Sequence, residues 1–235
     1  MFISIIIPAY NEEERLKSSL ESLHHYLSSK NYDYEVIIID DGSTDKTKET
    51  ILESMLAKAG KLIFLTNGKN KGKGFSVKQG ILHSLGEYVL FSDADFSTPI
   101  EELDRLLGYL TNGYDVVIGS RSAKGANIAV HQPFYRETMG KIFNLLVQIF
   151  VLRGIHDTQC GFKLFRGQCA RVIAGEVKIE RFGFDVEMLY LAQKNNYKIK
   201  EVPVTWTNSA TSRVNPISDS FKMFLDLLSI KKLHG

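Results

Sequence analysis

Two aspartates separated by a single residue, Asp93 and Asp95, directly follow a short apolar run. Carboxylate oxygens are the ligands that Mg²⁺ prefers, and at phosphate sites one or two of them commonly hold the ion while phosphate oxygens complete its shell. The pair, with Ala94 between, therefore predicts a site for Mg²⁺ or Mn²⁺ and a bound diphosphate. A calcium-binding EF-hand loop is disfavoured, because Thr98 replaces the required glycine and Pro99 starts a helix.

Polar residues also follow three other predicted strands. They are Pro8, Tyr10, Asn11 and Glu12 after the first strand, Asp40, Asp41, Gly42 and Ser43 after the second, and Ser120 and Arg121 after the fifth. Each group alone would fit turn and capping chemistry. In an open α/β sheet, however, ligands bind beyond the carboxyl ends of the strands. Together, the four groups predict one binding site at that edge.

A basic, glycine-rich turn, Asn70-Lys71-Gly72-Lys73-Gly74, precedes a predicted helix and suits a diphosphate approaching backbone N–H groups. Known nucleotide loops do not fit it. The spacing from Gly68 to Gly72 is one residue too short for a Walker A motif, and a dinucleotide fingerprint would need glycine where Val77 stands. These mismatches argue against a phosphate-cleaving NTPase and against a dehydrogenase.

Apolar runs alternate with helical patterns in the first half of the chain, which predicts an α/β fold with a mainly parallel sheet flanked by helices. The predicted strands are Phe2–Pro8, Glu35–Asp40, Lys61–Leu65, Tyr88–Ser92, Tyr114–Gly119 and, later, Lys198–Val204. The pattern is less regular after Arg121, where loops are predicted at Ser122–Pro133 and Thr207–Pro216. We expect one domain, 1–235, with a nucleotide-binding half (1–121) and an acceptor-binding half (122–235).

Two apolar helices are predicted in the second half, at Ile142–Leu152 and Ile217–Leu228. The second places Phe221, Phe224, Leu225 and Leu228 on one face, with Lys231 and Lys232 following. Each helix would either pack on the core or lie in a membrane interface. No apolar run reaches the roughly 20 residues needed to span a bilayer.

Composition narrows the class of protein. The 235 residues are 44% hydrophobic and 24% charged, and a formal net charge of +2 does not call for a nucleic-acid partner. Two cysteines cannot build a disulfide framework, which favours the cytoplasm. The apolar start, Phe2 to Ile7, is predicted to be a buried strand and not a signal peptide.

The motif series resembles that of family 2 glycosyltransferases with the GT-A fold, a Rossmann-like arrangement. The matching segments are Ile5–Glu12, Val36–Ser43, Asp93–Asp95 and Gly119–Arg121. Within that family, Asp157–Phe165, Phe184–Glu187 and Glu201–Trp206 resemble the dolichyl-phosphate β-glucosyltransferases, which are close relatives of the dolichyl-phosphate mannose synthases. The resemblance covers the chain from about Ile3 to about Leu228.

This resemblance implies roles for individual residues. Contacts with the donor nucleoside are implied for Pro8, Tyr10, Glu12 and Asp40 or Asp41, with Lys73 nearby, and metal binding for Asp93 and Asp95. A further metal contact of the mannose synthases, two residues after the second aspartate, falls on Ser97 here. The basic residues around the acceptor phosphate and donor diphosphate are matched by Arg121, Arg136 and Arg213.

The resemblance also implies the reaction, in which glucose moves from UDP-glucose to a polyprenyl phosphate with inversion, on the cytoplasmic face of a membrane that the protein contacts peripherally. A phosphate acceptor is already anionic at pH 7 and needs positioning more than a general base. If a base or sugar-orienting carboxylate is used, Asp157 is the first candidate, followed by Asp185 and Glu187. GDP-mannose or another donor, a saccharide hydroxyl acceptor, and a binding module without turnover remain alternatives.

Overall fold

Seven strands form the main sheet of the computed structural model, which describes residues 1–131, 133–208 and 218–235 and, within 218–221, the backbone alone. The strands of this sheet are β1 (Phe2–Ala9), β2 (Asp33–Asp40), β3 (Leu62–Thr66), β4 (Tyr88–Ser92), β5 (Val116–Ser120), β7 (Phe162–Arg166) and β8 (Ile199–Pro203). Two further strands, β6 (Asn127–Val130) and β9 (Thr205–Thr207), pair with each other.

Helices cover both faces of the main sheet. In chain order the described helices are α1 (Glu13–Ser28), α2 (Thr47–Leu52), α3 (Met55–Lys58), α4 (Lys73–His83), α5 (Glu102–Thr111), α6 (Phe134–Phe150), α7 (Gly167–Glu176), α8 (Phe184–Lys194) and α9 (Ser218–His234). None of them, within the described residues, is long and apolar enough to cross a membrane.

The strand order is β3-β2-β1-β4-β7-β5-β8, and β7 runs antiparallel to both of its neighbours while the other pairs are parallel. Strands from both sides of residue 121 thus share one sheet. This confirms the predicted fold class, a mainly parallel mixed sheet flanked by helices. It also means that the two predicted halves are interleaved in space, because β7 lies between β4 and β5.

The core has two layers, one on each face of the sheet, because successive strand residues point to opposite sides. In β1, Ile5 faces the layer formed with α1 and α5, whereas Ile6 faces the layer formed with α4, α7 and α8. In α1 the inward residues Leu16, Leu20 and Leu23 recur at helical spacing and are almost fully buried. The continuous apolar runs predicted as strands therefore have both faces covered.

The structure corrects the second half of the chain in several places. Strand β6 lies inside the predicted loop Ser122–Pro133, and α6 begins eight residues before the predicted start at Ile142. Strand β7 was not predicted, because the charged Lys163 interrupts its apolar pattern although that side chain is fully buried. The last helix extends past Leu228 to His234. Of the predicted loop Thr207–Pro216, residues 209–216 lie outside the described residues.

The faces of the two apolar helices also differ from the expectation. On α6, Val147 is the buried apolar residue, while Ile142, Leu145 and Ile149 are more than half exposed. On α9, the inward residues are Leu227 and Ile230, and the predicted face residues Leu225 and Leu228 are each 50% exposed. The side chain of Phe221 lies outside the described residues. Core packing thus accounts for only part of either helix.

Candidate active site

A cleft of about 630 Å³ opens at the carboxyl ends of β1, β2, β4 and β5. Most of the residues predicted from strand ends lie in its wall: Pro8, Tyr10, Glu12, Asp41, Lys73, Asp93, Ala94, Asp95, Ser97 and Arg121. The parallel strands carry these residues to one edge because each turn follows the end of a strand. The structure thus brings together residues from the four predicted strand-end groups and Lys73 from the basic turn.

The loops after β1 and β2 are tied to each other by side chains. The backbone N–H of Asn11 donates to Ser43 Oγ at 2.9 Å, and the Asn11 side-chain oxygen accepts from the Thr44 N–H at 2.8 Å. Asn11 adopts a left-handed backbone (φ 53°), which asparagine tolerates better than most residues. Next to it, the Glu12 N–H donates to Thr47 Oγ1 at 2.7 Å. These bonds hold one wall of the cleft in place.

Asp41 organises the basic turn. Its buried carboxylate accepts hydrogen bonds from the N–H groups of Lys71 (2.9 Å) and Gly72 (2.8 Å) and from Asn67 Nδ2 (2.7 Å). The expectation that these two N–H groups of the turn approach a diphosphate is therefore wrong, since an internal carboxylate already binds them. Asp40 does not line the cleft, because its carboxylate accepts from the Ser43 N–H in the turn after β2.

The predicted metal-binding pair lies at the floor of the cleft. Asp93 Oδ1 forms an ion pair with Lys73 Nζ at 2.7 Å. Asp95 accepts from the Ser97 N–H at 3.0 Å, and its other oxygen lies 3.4 Å from Arg15 Nη1. Both carboxylates line the cleft.

Gly161 allows the Asp93 carboxylate to sit where it does. A Cβ at this glycine would lie 2.0 Å from Asp93 Oδ2, so any side chain would displace the carboxylate. The Gly161 carbonyl also accepts the Asp93 N–H at 3.0 Å. In the described part of the chain no group of three or more His, Cys, Asp or Glu residues is arranged to hold a metal. Asp93 and Asp95 both line the cleft and offer the oxygen ligands that Mg²⁺ and Mn²⁺ accept, so they fit an ion that takes its remaining ligands from a diphosphate.

Two lysines bring positive charge to the same region. Burial alone would lower the pKa of Lys73, but the carboxylates of Asp93 and Asp185 outweigh it and raise that pKa above its ordinary value. Lys163 Nζ donates to the Cys160 carbonyl at 2.7 Å and to Asp185. Burial raises the pKa of Asp185 even though Lys163 opposes the shift. Lys73 lines the cleft, Lys163 is fully buried, and each lysine is paired with a carboxylate.

Arg121, in the wall of the cleft, forms a bidentate ion pair with Asp157. Nε and Nη2 of Arg121 donate to the two carboxylate oxygens at 2.8 Å each, and the Arg121 N–H adds a third bond at 2.8 Å. The guanidinium also stacks on Trp206 with 5.4 Å between Cζ and the ring centroid. Asp157 is 1% exposed, whereas the Arg121 side chain is 26% exposed and lines the cleft. Asp157 thus fixes the orientation of Arg121.

This pairing changes the role that the sequence suggested for Asp157. Burial would raise its pKa, but the charge and hydrogen bonds of Arg121 hold the pKa below its usual range. A carboxylate with a lowered pKa and both oxygens bound is a poor general base at neutral pH. Next to it, burial and the charge of Asp157 raise the pKa of the Cys160 thiol to about 11, so this thiol is not a ready nucleophile either.

The remaining predicted residues are distributed differently. Glu187 does not line the cleft, because its buried carboxylate binds the N–H groups of Lys178 and Ile179 and His234 Nε2. Arg136 lies in the first turn of α6, where its guanidinium stacks on Tyr135, and it does not line the cleft either. Its contact with an acceptor phosphate stays a prediction. Arg213 lies outside the described residues.

Sequence reasoning missed several residues of the cleft wall: Arg15, Gln159, Arg181, Phe182, Trp206 and Asn208. Arg15 had a local signal, since it follows Glu12 at helical i,i+3 spacing and binds that carboxylate through Nε (2.8 Å) and Nη2 (2.6 Å). Arg181 and Phe182 belong to an irregular segment before α8 that offers no periodic pattern. Trp206 is 9% exposed and borders the cleft.

Comparison with known proteins identifies relatives along nearly the whole chain. The model of glycosyl transferase family 2 matches residues 4–172. The dolichyl-phosphate beta-glucosyltransferase of Dictyostelium discoideum is 40% identical over 242 residues, which cover 98% of this chain and 74% of that protein. The human protein of the same name is 35% identical, with 97% and 74% covered.

A solved structure with a similar fold is the glucosyl-3-phosphoglycerate synthase of Mycobacterium tuberculosis, in complex with Mn²⁺, uridine diphosphate and phosphoglyceric acid. It aligns with a TM-score of 0.68 at 18% identity and covers 98% of this chain and 77% of that one. At this identity the likeness establishes the fold, which is the GT-A arrangement expected from the sequence.

Proposed function

The chain belongs to glycosyl transferase family 2, and on that premise we propose that it transfers glucose from UDP-glucose to a dolichyl-type polyprenyl phosphate with inversion at the sugar carbon. The names of its relatives support glucose as the sugar and a dolichyl phosphate as the acceptor. The Mycobacterium tuberculosis synthase, which shares the fold, is described in complex with UDP-glucose, which supports the uridine donor. Pro8, Tyr10, Glu12 and Asp41 would surround the nucleoside.

The choice of a phosphate acceptor rests on the observation that the carboxylates in the cleft are paired with other groups. Every carboxylate that lines the described cleft is engaged: Glu12 by Arg15, Asp41 by the basic turn, Asp93 by Lys73, Asp95 by Ser97 and Arg15, and Asp185 by Lys163. A hydroxyl acceptor would need a free general base within reach. A phosphate monoester, with a second pKa of about 6, needs none. The paired carboxylates therefore support a phosphate acceptor.

The reaction that follows is a single displacement. An oxygen of the acceptor phosphate attacks the anomeric carbon from the face opposite the diphosphate and forms the new C–O bond. The bond to the diphosphate breaks, and UDP leaves with the electron pair. Because UDP-glucose is α-linked and the relatives are named beta-glucosyltransferases, inversion is the expected outcome. Arg121, held by Asp157, is positioned to bind the acceptor phosphate through its exposed edge.

Charge on the departing diphosphate must also be stabilised. Asp93 and Asp95 would hold Mg²⁺ or Mn²⁺, which when bound would neutralise part of that charge. Lys73, paired with Asp93, supplies fixed positive charge at the same place. The backbone N–H of Ser97 donates to the Asp95 carboxylate and so orients this proposed metal ligand.

We further propose that α6 docks on the membrane that contains the lipid acceptor. Phe134 (83% exposed), Leu145 (57%) and Ile149 (60%) leave an apolar surface on this helix, with Lys141 also exposed. A helix with this character lies in the bilayer interface with its apolar side inserted. The two cysteines are both free and buried, which supports the cytoplasmic side of that membrane.

The proposed function is tested by a radiolabelled transfer assay with purified protein. UDP-glucose should label a short polyprenyl phosphate, whereas GDP-mannose should not, and UDP should compete with the donor more strongly than GDP. Transfer should stop in excess chelator. Stronger inhibition by GDP would shift the donor assignment to mannose, and a free saccharide as the better acceptor would overturn the phosphate assignment.

The double variant Leu145→Glu with Ile149→Glu is expected to lose membrane binding. Burying a Leu or Ile side chain is worth about 1.5–3 kcal/mol, so losing two should weaken partitioning about 100-fold or more. Cosedimentation with vesicles of phosphatidylcholine and an anionic phospholipid measures this. Leu85→Glu is the matched control, because Leu85 is 74% exposed but precedes β4, at the sheet edge opposite the cleft. Equal binding by both variants would contradict docking through α6.

A further inference from the structure

Gln159 carries an unsatisfied donor in the wall of the cleft. Its side-chain Nε2 is buried and has no hydrogen-bond partner among the described residues, although the residue lines the cleft. Buried polar groups are almost always hydrogen-bonded in folded proteins, and exceptions tend to have a functional explanation. The unpaired amide therefore indicates a ligand atom that occupies this position when substrate is bound.

The neighbours of Gln159 in the chain locate that atom. Two residues before it, Asp157 holds Arg121, and two residues after it, Gly161 packs against the Asp93 carboxylate. The Gln159 N–H donates to Asp157 Oδ1 at 3.3 Å, which anchors its backbone to the arginine pair. Its side chain thus stems from the segment that joins the proposed metal-binding carboxylate to the proposed acceptor-binding arginine. The transferred sugar must lie between those two groups.

We propose that Gln159 binds a hydroxyl group of the transferred hexose and so helps to select the donor sugar. This inference rests on the proposed function and adds a contact to it. A side-chain amide offers both a donor and an acceptor, which matches a hydroxyl that itself donates and accepts. The anionic phosphates have better partners nearby in Arg121 and Lys73, because charge-assisted hydrogen bonds are about twice as strong as neutral ones.

The amide would discriminate strongly between sugars. A site that is built to hydrogen-bond a substrate hydroxyl rejects an analogue without it, because the buried group of the protein is then left unpaired. An epimer in which the contacted hydroxyl points in another direction would likewise leave the amide unpaired. We therefore expect Gln159 to contribute to selection among hexoses, whereas the nucleoside residues select the base.

Calorimetry with UDP-glucose and UDP, in the presence of Mn²⁺, tests the contact on the full chain. Gln159→Met preserves the approximate length of the side chain and removes its amide. We expect it to weaken UDP-glucose binding about 10-fold or more while leaving UDP binding unchanged. Among UDP-linked 2-, 3-, 4- and 6-deoxyglucose, the analogue that lacks the contacted hydroxyl should bind equally to native and variant protein. Gln168→Met is the control, since Gln168 is exposed on α7.

Thermal unfolding separates this contact from a structural role. Removing a buried amide without a partner should leave the melting temperature of the ligand-free protein unchanged or raise it. A large fall in melting temperature, equal losses for UDP and UDP-glucose, or unchanged binding of UDP-glucose would each overturn the contact. If neither UDP-glucose nor UDP binds the native chain, the proposed donor itself is wrong, and that result is distinct from the other three.

Discussion

Replacing Asp93 by Asn is expected to lower the rate of glucose transfer by about 10²–10³-fold while the protein stays folded. Losing a metal ligand removes charge stabilisation from the departing diphosphate, and about 3–4 kcal/mol of barrier corresponds to that loss. The fold should tolerate the change because the amide is close in shape to the carboxylate and the Asp93 side chain lines the cleft instead of the core.

Binding provides a readout that is independent of turnover. UDP should bind the native protein more tightly with Mn²⁺ than without it, and Asp93→Asn should bind UDP with little dependence on Mn²⁺. Asp33→Asn is the matched control, since this aspartate lies at the start of β2 with its side chain 73% exposed. Full activity of Asp93→Asn, or equal native activity in excess chelator, would contradict the metal site.

Replacing Asp157 by Asn is expected to lower the free energy of unfolding by about 3 kcal/mol and to impair transfer as well. Breaking a buried ion pair from one side leaves the other charge uncompensated, which typically costs 3–5 kcal/mol. The low end applies because Arg121 is 26% exposed. The new side-chain amide would also direct an N–H group towards the N–H groups of Arg121. Chemical denaturation and the transfer assay measure the two effects.

The pH dependence distinguishes this role from general-base catalysis. The folded pKa of Asp157 lies below its unfolded value, so its stabilising contribution is complete above the unfolded pKa of about 4. That contribution is lost only as the pH falls through the lower folded pKa. Native transfer should therefore show no ionisation of Asp157 between pH 5 and 8, and a limb near pH 6 would belong to the acceptor phosphate.

Arg121→Lys completes this test. It conserves the charge but loses the planar fork that binds a phosphate or carboxylate through two N–H groups. We expect a loss of about 10- to 150-fold in catalytic efficiency with the polyprenyl phosphate. Slow donor hydrolysis by water should survive, because the donor contacts are intact.

If Asp157→Asn loses activity but no stability, Asp157 acts as a base and its assignment as a positioning residue is wrong.

Much of the nucleotide-binding half could be read directly from the residues. Each of its predicted strands, such as Tyr88–Ser92, has a counterpart in the structure, because a continuous apolar run between polar turns is a local signal for a strand with both faces buried. Most of the residues predicted after the strands then met at one cleft, since parallel strands bring their carboxyl ends to the same edge.

The second half was harder because its signals are not local. The unpredicted β7 contains Lys163, whose buried charge is compensated by Asp185, a residue 22 positions later. The partner of Arg121 lies 36 residues away, so its spacing could not reveal that Asp157 is bound and unable to serve as a ready base. The exposure of Leu145 on α6 likewise depends on which neighbours cover the helix.

The fold class and the family could be inferred from local sequence patterns and motifs, and so could the positions of candidate site residues after the strands. The arrangement in space was needed to see which charged groups are paired with one another, and to see that Gln159 Nε2 has no partner among the described residues. The residue type determines whether a side chain can donate, accept or ionise. Its pKa and its unsatisfied hydrogen-bonding groups depend on burial and on partners that distant segments of the chain provide.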